Sequence, residues 1–393
     1  MFGGQESVPV DFALTEEHQQ IRQAAREFAA KEIAPHVAQY DVQECFPIDI
    51  VRKAAALGYM GGVVPTKYGG AGLDHLSYTL LLEEISRACH VVACALSFPS
   101  GLAGSALLRY GTEEQKKKYL APLARGEMFA ATGVTEPHSG TDVAAMETVA
   151  VRDGDSYVLN GSKAWISFID VADWILTFAT LDRKNPRQSI CAFVVERGTP
   201  GLTLKPYKNK LGFRPLASGD VLLEDCRVPV ANRVGEEGEG LRAAMWAVEN
   251  GRLGVAARAV GLSQACLDAA VAYAKERVVF NQPIGRFQLV QGMITDMVVG
   301  IESARLLTYR LAWLKDRGAK EARQQASLVK MFAADTAMMA ATAAVQIHGA
   351  YGCQHDAAVS RYFRDAKIFQ IVEGNNQLHK SLVAEYALGF RQV

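Results

Sequence analysis

The residues best able to do chemistry in this chain are a loop, a lone carboxylate and a few helical charges. The loop GVTEPHSGTD (133–142) carries hydroxyls at Thr135, Ser139 and Thr141, with Pro137 to stiffen it and Gly140 to let it turn. Such a bend suits the edge of a polar ring system or a ligand carbonyl. By composition alone, an ordinary capped turn fits it better. Glu373 stands alone between Val372 and Gly374 in VEGNNQLHK (372–380). Burial would lift its pKa towards about 6–7, where a carboxylate serves as a general base. A helix-start carboxylate is the plainer reading of the same residues. Glu249 and Arg252, in VENGRLGVA (248–256), read as a helical surface pair. The 8 histidines include no HExxH or other short metal spacing, so no metal is assigned. No GxGxxG opens a βαβ unit and no GxxxxGK[ST] occurs, which disfavours a nicotinamide site of Rossmann type.

Three zones must position these groups. Apolar residues recur at three and four between about 15 and 125, as in IRQAAREFAAKEIAPHV (21–37), with a capping box at Thr112 and Gln115. Between about 129 and 239 the period shifts towards two. Asp153-Gly154 and Asn160-Gly161 read there as hairpin turns between short alternating runs. Long Ala-rich helical stretches follow at 240–276, 287–316 and 320–347. The expected domains are 1–128 helical, 129–239 a β domain and 240–393 a helical bundle: a mainly α protein with a β domain.

Lys+Arg and Asp+Glu both number 42, so net charge gives no reason to expect nucleic acid or an anionic membrane as partner. The 7 cysteines are scattered without a CxxC pair and read as reduced thiols. The run MFAADTAMMAATAAVQI (331–347) contains Asp335 and reads as a buried bundle helix rather than a span. With no secretory signal in the first residues, a cytoplasmic protein is expected.

Four segments carry a resemblance. GVTEPHSGTD resembles the first signature of the acyl-CoA dehydrogenase family at every specified position. QIHGAYGCQHDAAVSRYFRD (346–365) resembles the second, with Ala350 where Gly is usual. ERVVFNQPIGRFQLVQ (276–291) and VEGNNQLHK are similar to two further family stretches, with Asn281 replacing Gly and Asn375 replacing Thr. The order, the spacing and the three zones also match that family, closest to members acting on glutaryl-CoA or alicyclic acyl-CoAs. The fold implied is an N-terminal helical domain, a β-barrel-like middle domain and a C-terminal four-helix bundle.

The resemblance implies FAD-dependent α,β-dehydrogenation of an acyl-CoA. Glu373 takes the α-proton, and Gly251 stands where some members place the base on another helix. It also implies that Val134, Thr135, Thr141, Trp165 and Ser167 line the flavin, and that Arg277 and Gln288 meet the pyrophosphate. Gln346 and Gly349 would reach the FAD of a neighbouring subunit in a homotetramer or homodimer, with Asn375 and Gln377 as further dinucleotide contacts. Thr141, Glu249, Arg252 and Gly374 would meet the substrate, and an electron-transfer flavoprotein would take the electrons. The stretch 87–108 has no Arg after Arg87, so a neutral short, branched or cyclic acyl group is expected over a dicarboxylate. The alternatives are an acyl group on an acyl carrier protein, or a flavin oxidase or monooxygenase on the same fold.

Overall fold

Thr15 opens the first helix, α1 (Glu16–Phe28): its Oγ1 accepts from His18 N at 3.2 Å, and the His18 ring accepts from Thr15 N at 3.3 Å. Capping of this kind satisfies amides that a helix start leaves bare. The computed structural model describes residues 13–391. Helices α2 (Val37–Gln43), α3 (Ile48–Ala56), α4 (His75–Ala88), α5 (His90–Ser97) and α6 (Leu102–Tyr110) follow. The capping box at Thr112 is present, with Gln115 N donating to Thr112 Oγ1 at 3.2 Å.

Strands β1 (Ala130–Gly133), β2 (Val149–Asp153), β3 (Ser156–Ser167), β4 (Trp174–Thr180), β5 (Ile190–Glu196), β6 (Leu202–Pro206), β7 (Ser218–Pro229) and β8 (Arg233–Val234) form one sheet. Its order is β6-β7-β3-β2-β4-β5-β8, with β1 parallel on β4. β5 is buried on both faces. Ile190, Ala192 and Val194 join the core shared with the helices, whereas Cys191, Phe193 and Val195 join a second core within the sheet. The Asp153-Gly154 hairpin forms as expected, with Asp153 paired to Ser156. Asn160-Gly161 does not turn the chain. It lies inside β3, where the register against β7 slips between Leu159 and Gly161. Gly161 has φ 149°, and a Cβ there would lie 2.5 Å from Thr148 Oγ1. A bulge and a turn both call for glycine, so the dipeptide did not tell them apart.

The bundle consists of α7 (Gly240–Glu276), α8 (Gln288–Asp316) and α9 (Ala322–His348), close to the expected stretches, followed by α10 (Ala358–Phe369) and α11 (Asn376–Ala387). α7 packs along α4, α6, α8 and α9. One apolar cluster runs from Ala25 on α1 through Trp174 and Phe178 on β4 to Ala344 and Phe369 in the bundle. All three zones therefore share a core.

Among the described residues, three stretches are long and apolar enough to cross a membrane by length and composition: His90–Tyr110, Gly240–Glu276 and Ala322–Cys353. The fold buries 78% and 67% of the most apolar windows of the first two, but only 50% of the third, which leaves α9 a partly open face. Asp335 on α9, half-buried at the edge of that face, accepts from Asn376 Nδ2 at 2.7 Å and Gln370 Nε2 at 2.6 Å.

Candidate active site

The loop after β1 is rigid. Thr135 O accepts from Ala164 N at 2.9 Å, and Glu136 and Ser139 exchange backbone hydrogen bonds at 2.9 and 3.2 Å. Glu136 is buried and gathers Glu147 N at 2.5 Å, Thr148 N at 3.0 Å and the fully buried Lys163 Nζ at 2.6 Å. Burial pushes the Glu136 carboxyl up, but Lys163 beside it brings it below the usual carboxylate range. Burial draws Lys163 down to about 8 against the pull of Glu136. This ion pair ties the loop to β3, and sequence reasoning did not single it out.

Trp165 is presented by the same strand. The β3–β7 register slips again between Lys163 and Ile166, and Trp165 there has φ 60° and 64% exposure. A strand Trp ordinarily fills a core. Here a strained backbone holds an indole out beside Tyr207, with ring centroids 4.8 Å apart. Ser167 Oγ lies 3.3 Å from Ser218 Oγ.

The C-terminal segment closes onto this loop. Asn375 caps α11, accepting from Leu378 N at 2.8 Å, and its Nδ2 donates to Thr141 Oγ1 at 3.1 Å. The helix cap is therefore Asn375, and Glu373 is released from that duty. Glu373 has φ 54° and Gly374 φ 93°. Lys330 Nζ donates to Gly374 O at 2.7 Å and Asn376 Oδ1 at 3.1 Å, fixing the turn. Gln377 is exposed at the second position of α11.

The Glu373 side chain points at α7. A Cβ on Gly251 would lie 2.2 Å from Glu373 Oε2 and 2.7 Å from its Cδ, so the carboxyl occupies the hollow that Gly251 leaves. The residue as a whole is partly exposed, yet Oε2 is out of solvent and has no hydrogen-bond partner among the described residues. Burial raises its pKa to about 7, opposed by Arg258, Arg252 and Lys330. The neighbouring His379 ring, 3.3 Å from Glu373 O, is driven by burial down to about 3 and is neutral.

Arg252 corrects the expected surface pair. Glu249 Oε2 pairs with Arg323 at 3.1 Å, whereas Arg252 Nη1 reaches Ser327 Oγ at 3.2 Å and its charge bears on Glu373. Arg277, Gln288, Gln346 and Gly349 stand apart. Arg277 lies 5.9 Å from the Tyr351 ring, in the turn that Gly349 starts, and Gln346 opens onto a cleft of about 540 Å³ with Met339 and Gln370. Among the described residues, no hydrogen bond or ring contact joins these four to Trp165 or Glu373. The substitution Asn281 has φ 62°, a conformation Asn tolerates nearly as Gly does.

A carboxylate near neutrality, seated beside a rigid hydroxyl-bearing loop and a displayed indole, can take a proton from an acidified carbon. Turnover should therefore rise with pH through about 7 as Glu373 loses its proton, with an acid limb in kcat/KM as the readout. The same shift acts oppositely on the fold. The stability from this group is present below its unfolded value and is lost as pH climbs towards 7.

Comparison with known proteins decides the family. Profiles described as "Acyl-CoA dehydrogenase, N-terminal domain", "middle domain" and "C-terminal domain" match residues 15–127, 131–226 and 238–388. The short-chain specific acyl-CoA dehydrogenase of Clostridium acetobutylicum is 43% identical over 375 residues, covering 95% of this chain and 99% of the relative. The chain belongs to the acyl-CoA dehydrogenase family. The fold agrees: a glutaryl-CoA dehydrogenase in complex with glutaryl-CoA superposes with a TM-score of 0.94 at 38% identity, over 97% and 98% of the two chains. A chain in the structure of the electron transferring flavoprotein of Acidaminococcus fermentans gives 0.93 at 42% identity, over 96% and 100%.

The acyl-CoA dehydrogenase family is FAD-dependent and acts on the CH–CH bond of acyl-CoA. The residues present fit that cofactor. The strained, exposed Trp165 offers an aromatic face, and Thr135, Thr141 and Ser167 offer hydroxyls. The stretch 87–108 supplies no cation, since Arg87 turns away to Asp268 at 2.6 Å. α7 carries a buried arginine, Arg258, whose charge bears on Glu373 and which an Ala-rich helix pattern gave no means of seeing.

Proposed function

We propose that this chain dehydrogenates a short acyl-CoA across Cα–Cβ, with Glu373 as the base. The supporting observation is the unpaired Oε2 of Glu373, desolvated in the hollow of Gly251 with a pKa near 7. Glu373 takes the α-proton, the electron pair of that C–H bond becomes the new double bond, and the β-carbon loses hydride. FAD, when bound, supplies the hydride acceptor. Val134, Thr135, Thr141, Trp165 and Ser167 orient its ring, and Asn375 and Gln377 meet the dinucleotide. Thr141 and Gly374 position the thioester, while Glu249 and Arg252 meet the CoA chain. Short-chain relatives support a small acyl group, and the similarity to a chain in the Acidaminococcus fermentans electron transferring flavoprotein structure supports an electron-transfer flavoprotein as acceptor.

Arg277, Gln346 and Gly349 lie near the turn after α9, beside its partly open face, and Gln288 starts α8. We read them as completing the FAD site of a second copy in a homodimer or homotetramer. Dilution to monomers should therefore release FAD, followed as flavin absorbance separating from protein on size exclusion. A fully active monomer would contradict the shared site. The experiment that tests the main reading is anaerobic flavin bleaching by a panel of acyl-CoAs and acyl carrier protein thioesters. Bleaching by short acyl-CoAs is expected; bleaching by carrier-protein thioesters alone would overturn the CoA assignment.

A further inference from the structure

Arg258 follows Gly251 by two turns and Gly254 by one, so all three lie on one face of α7. It is 3% exposed. Its Nε donates to Gly254 O at 3.1 Å, its guanidinium lies against the Cys94 thiol of α5, and its Cζ is 5.9 Å from the Phe369 ring centroid. Nη1 has no hydrogen-bond partner among the described residues, and no carboxylate forms an ion pair with Arg258 there. A guanidinium taken out of water without a counter-ion is costly, and folds keep one only where something pairs with it.

The surroundings offer little that could hydrogen-bond Nη1. Gly254 faces Tyr78 Oη and Ser97, and burial pushes the thiol of Cys94 upward, so it stays neutral. Among the described residues, the carboxylate on which Arg258 bears is Glu373, whose Oε2 is likewise unpartnered. Three cations, Arg258, Arg252 and Lys330, bear on that single anion. The cluster is therefore short of negative charge, and the shortfall lies on the face of α7 that carries Gly251, against which the Glu373 carboxyl sits.

Resting on the dehydrogenase reading above, we propose that Arg258 is a specificity-determining residue whose free Nη1 receives a second carboxylate carried by the acyl group. The Glu373 carboxyl sits at the level of Gly251 and the Arg258 Nε at the level of Gly254, about 4.5 Å further along the helix axis. Two or three C–C bonds of about 1.5 Å span that interval. The acyl group then has about four or five carbons, with a carboxylate at the far end and Cα under Glu373. The hydrocarbon between them meets the neutral side chains of α5.

The test compares glutaryl-CoA with valeryl-CoA, its neutral counterpart of equal length, in anaerobic flavin bleaching and steady-state turnover. Because both substrates use Glu373, any effect on the base cancels in the ratio of their kcat/KM values. The wild-type chain should favour glutaryl-CoA by about tenfold or more, the worth of one charged hydrogen bond. Arg258→Gln should collapse that ratio by a similar factor through KM, and Arg258→Lys should retain part of it. Calorimetric titration of Glu373→Gln protein should show the same preference in Kd without turnover. A wild-type preference for valeryl-CoA, or equal losses on both substrates in Arg258→Gln, would overturn the proposal. The wild-type ratio decides by itself if Arg258→Gln does not fold. Flavin that no acyl-CoA bleaches would instead overturn the dehydrogenase reading.

Discussion

Glu373→Gln should stop acyl-CoA from bleaching the flavin, lowering the single-turnover rate by about 10²–10⁴-fold or more while FAD stays bound. Glutamine fills the same hollow beside Gly251 and keeps the hydrogen bonds of the turn, since Lys330 and His379 contact backbone carbonyls of Gly374 and Glu373 rather than the side chain. It cannot take a proton. The pH limb near 7 should vanish along with the rate, because the group whose raised pKa produces it is gone. Rapid-mixing absorbance of the flavin band checks both, and undiminished bleaching would move the base elsewhere.

Gly251→Ala should cost nearly as much without touching an ionisable group. The added Cβ would lie 2.2 Å from Oε2 and 2.9 Å from Oε1, so the carboxyl must leave its seat. The backbone cannot follow it. Lys330 at 2.7 Å from Gly374 O and the Asn375 cap hold the turn on both sides. Misplacing a reacting group by about 1 Å costs on the order of 10²-fold. The expected result is a comparable fall in bleaching rate with far-UV circular dichroism and FAD content preserved. A wild-type rate would mean that the carboxyl does not work from this hollow.

Much of this was legible in the sequence, for definite reasons. α7, α8 and α9 announce themselves because Ala-rich helices packed on one another need small residues at helical spacing along most of their length. The loop at 133–142 and Glu373 were found through motif order, although on composition each had a plainer reading. That reading of Glu373 gives way only when Asn375 is seen to cap α11. Asn160-Gly161 misled because glycine at φ 149° serves a bulge as well as a turn. Arg252 and Arg258 were the least legible. An arginine within a helical run reads as solvated unless the packing of α4 and α5 onto α7 is known, and that contact joins residues far apart in the chain.

The fit of the Glu373 carboxyl into the space above Gly251 also constrains how such a site can change over generations. A carboxylate introduced at 251 while Glu373 remains would force two acids into one hollow, and losing Glu373 first would leave none. The two positions are epistatic. A base can move between these helices only by a paired replacement, so a lineage that has placed it on one of them is held there by sterics as much as by chemistry.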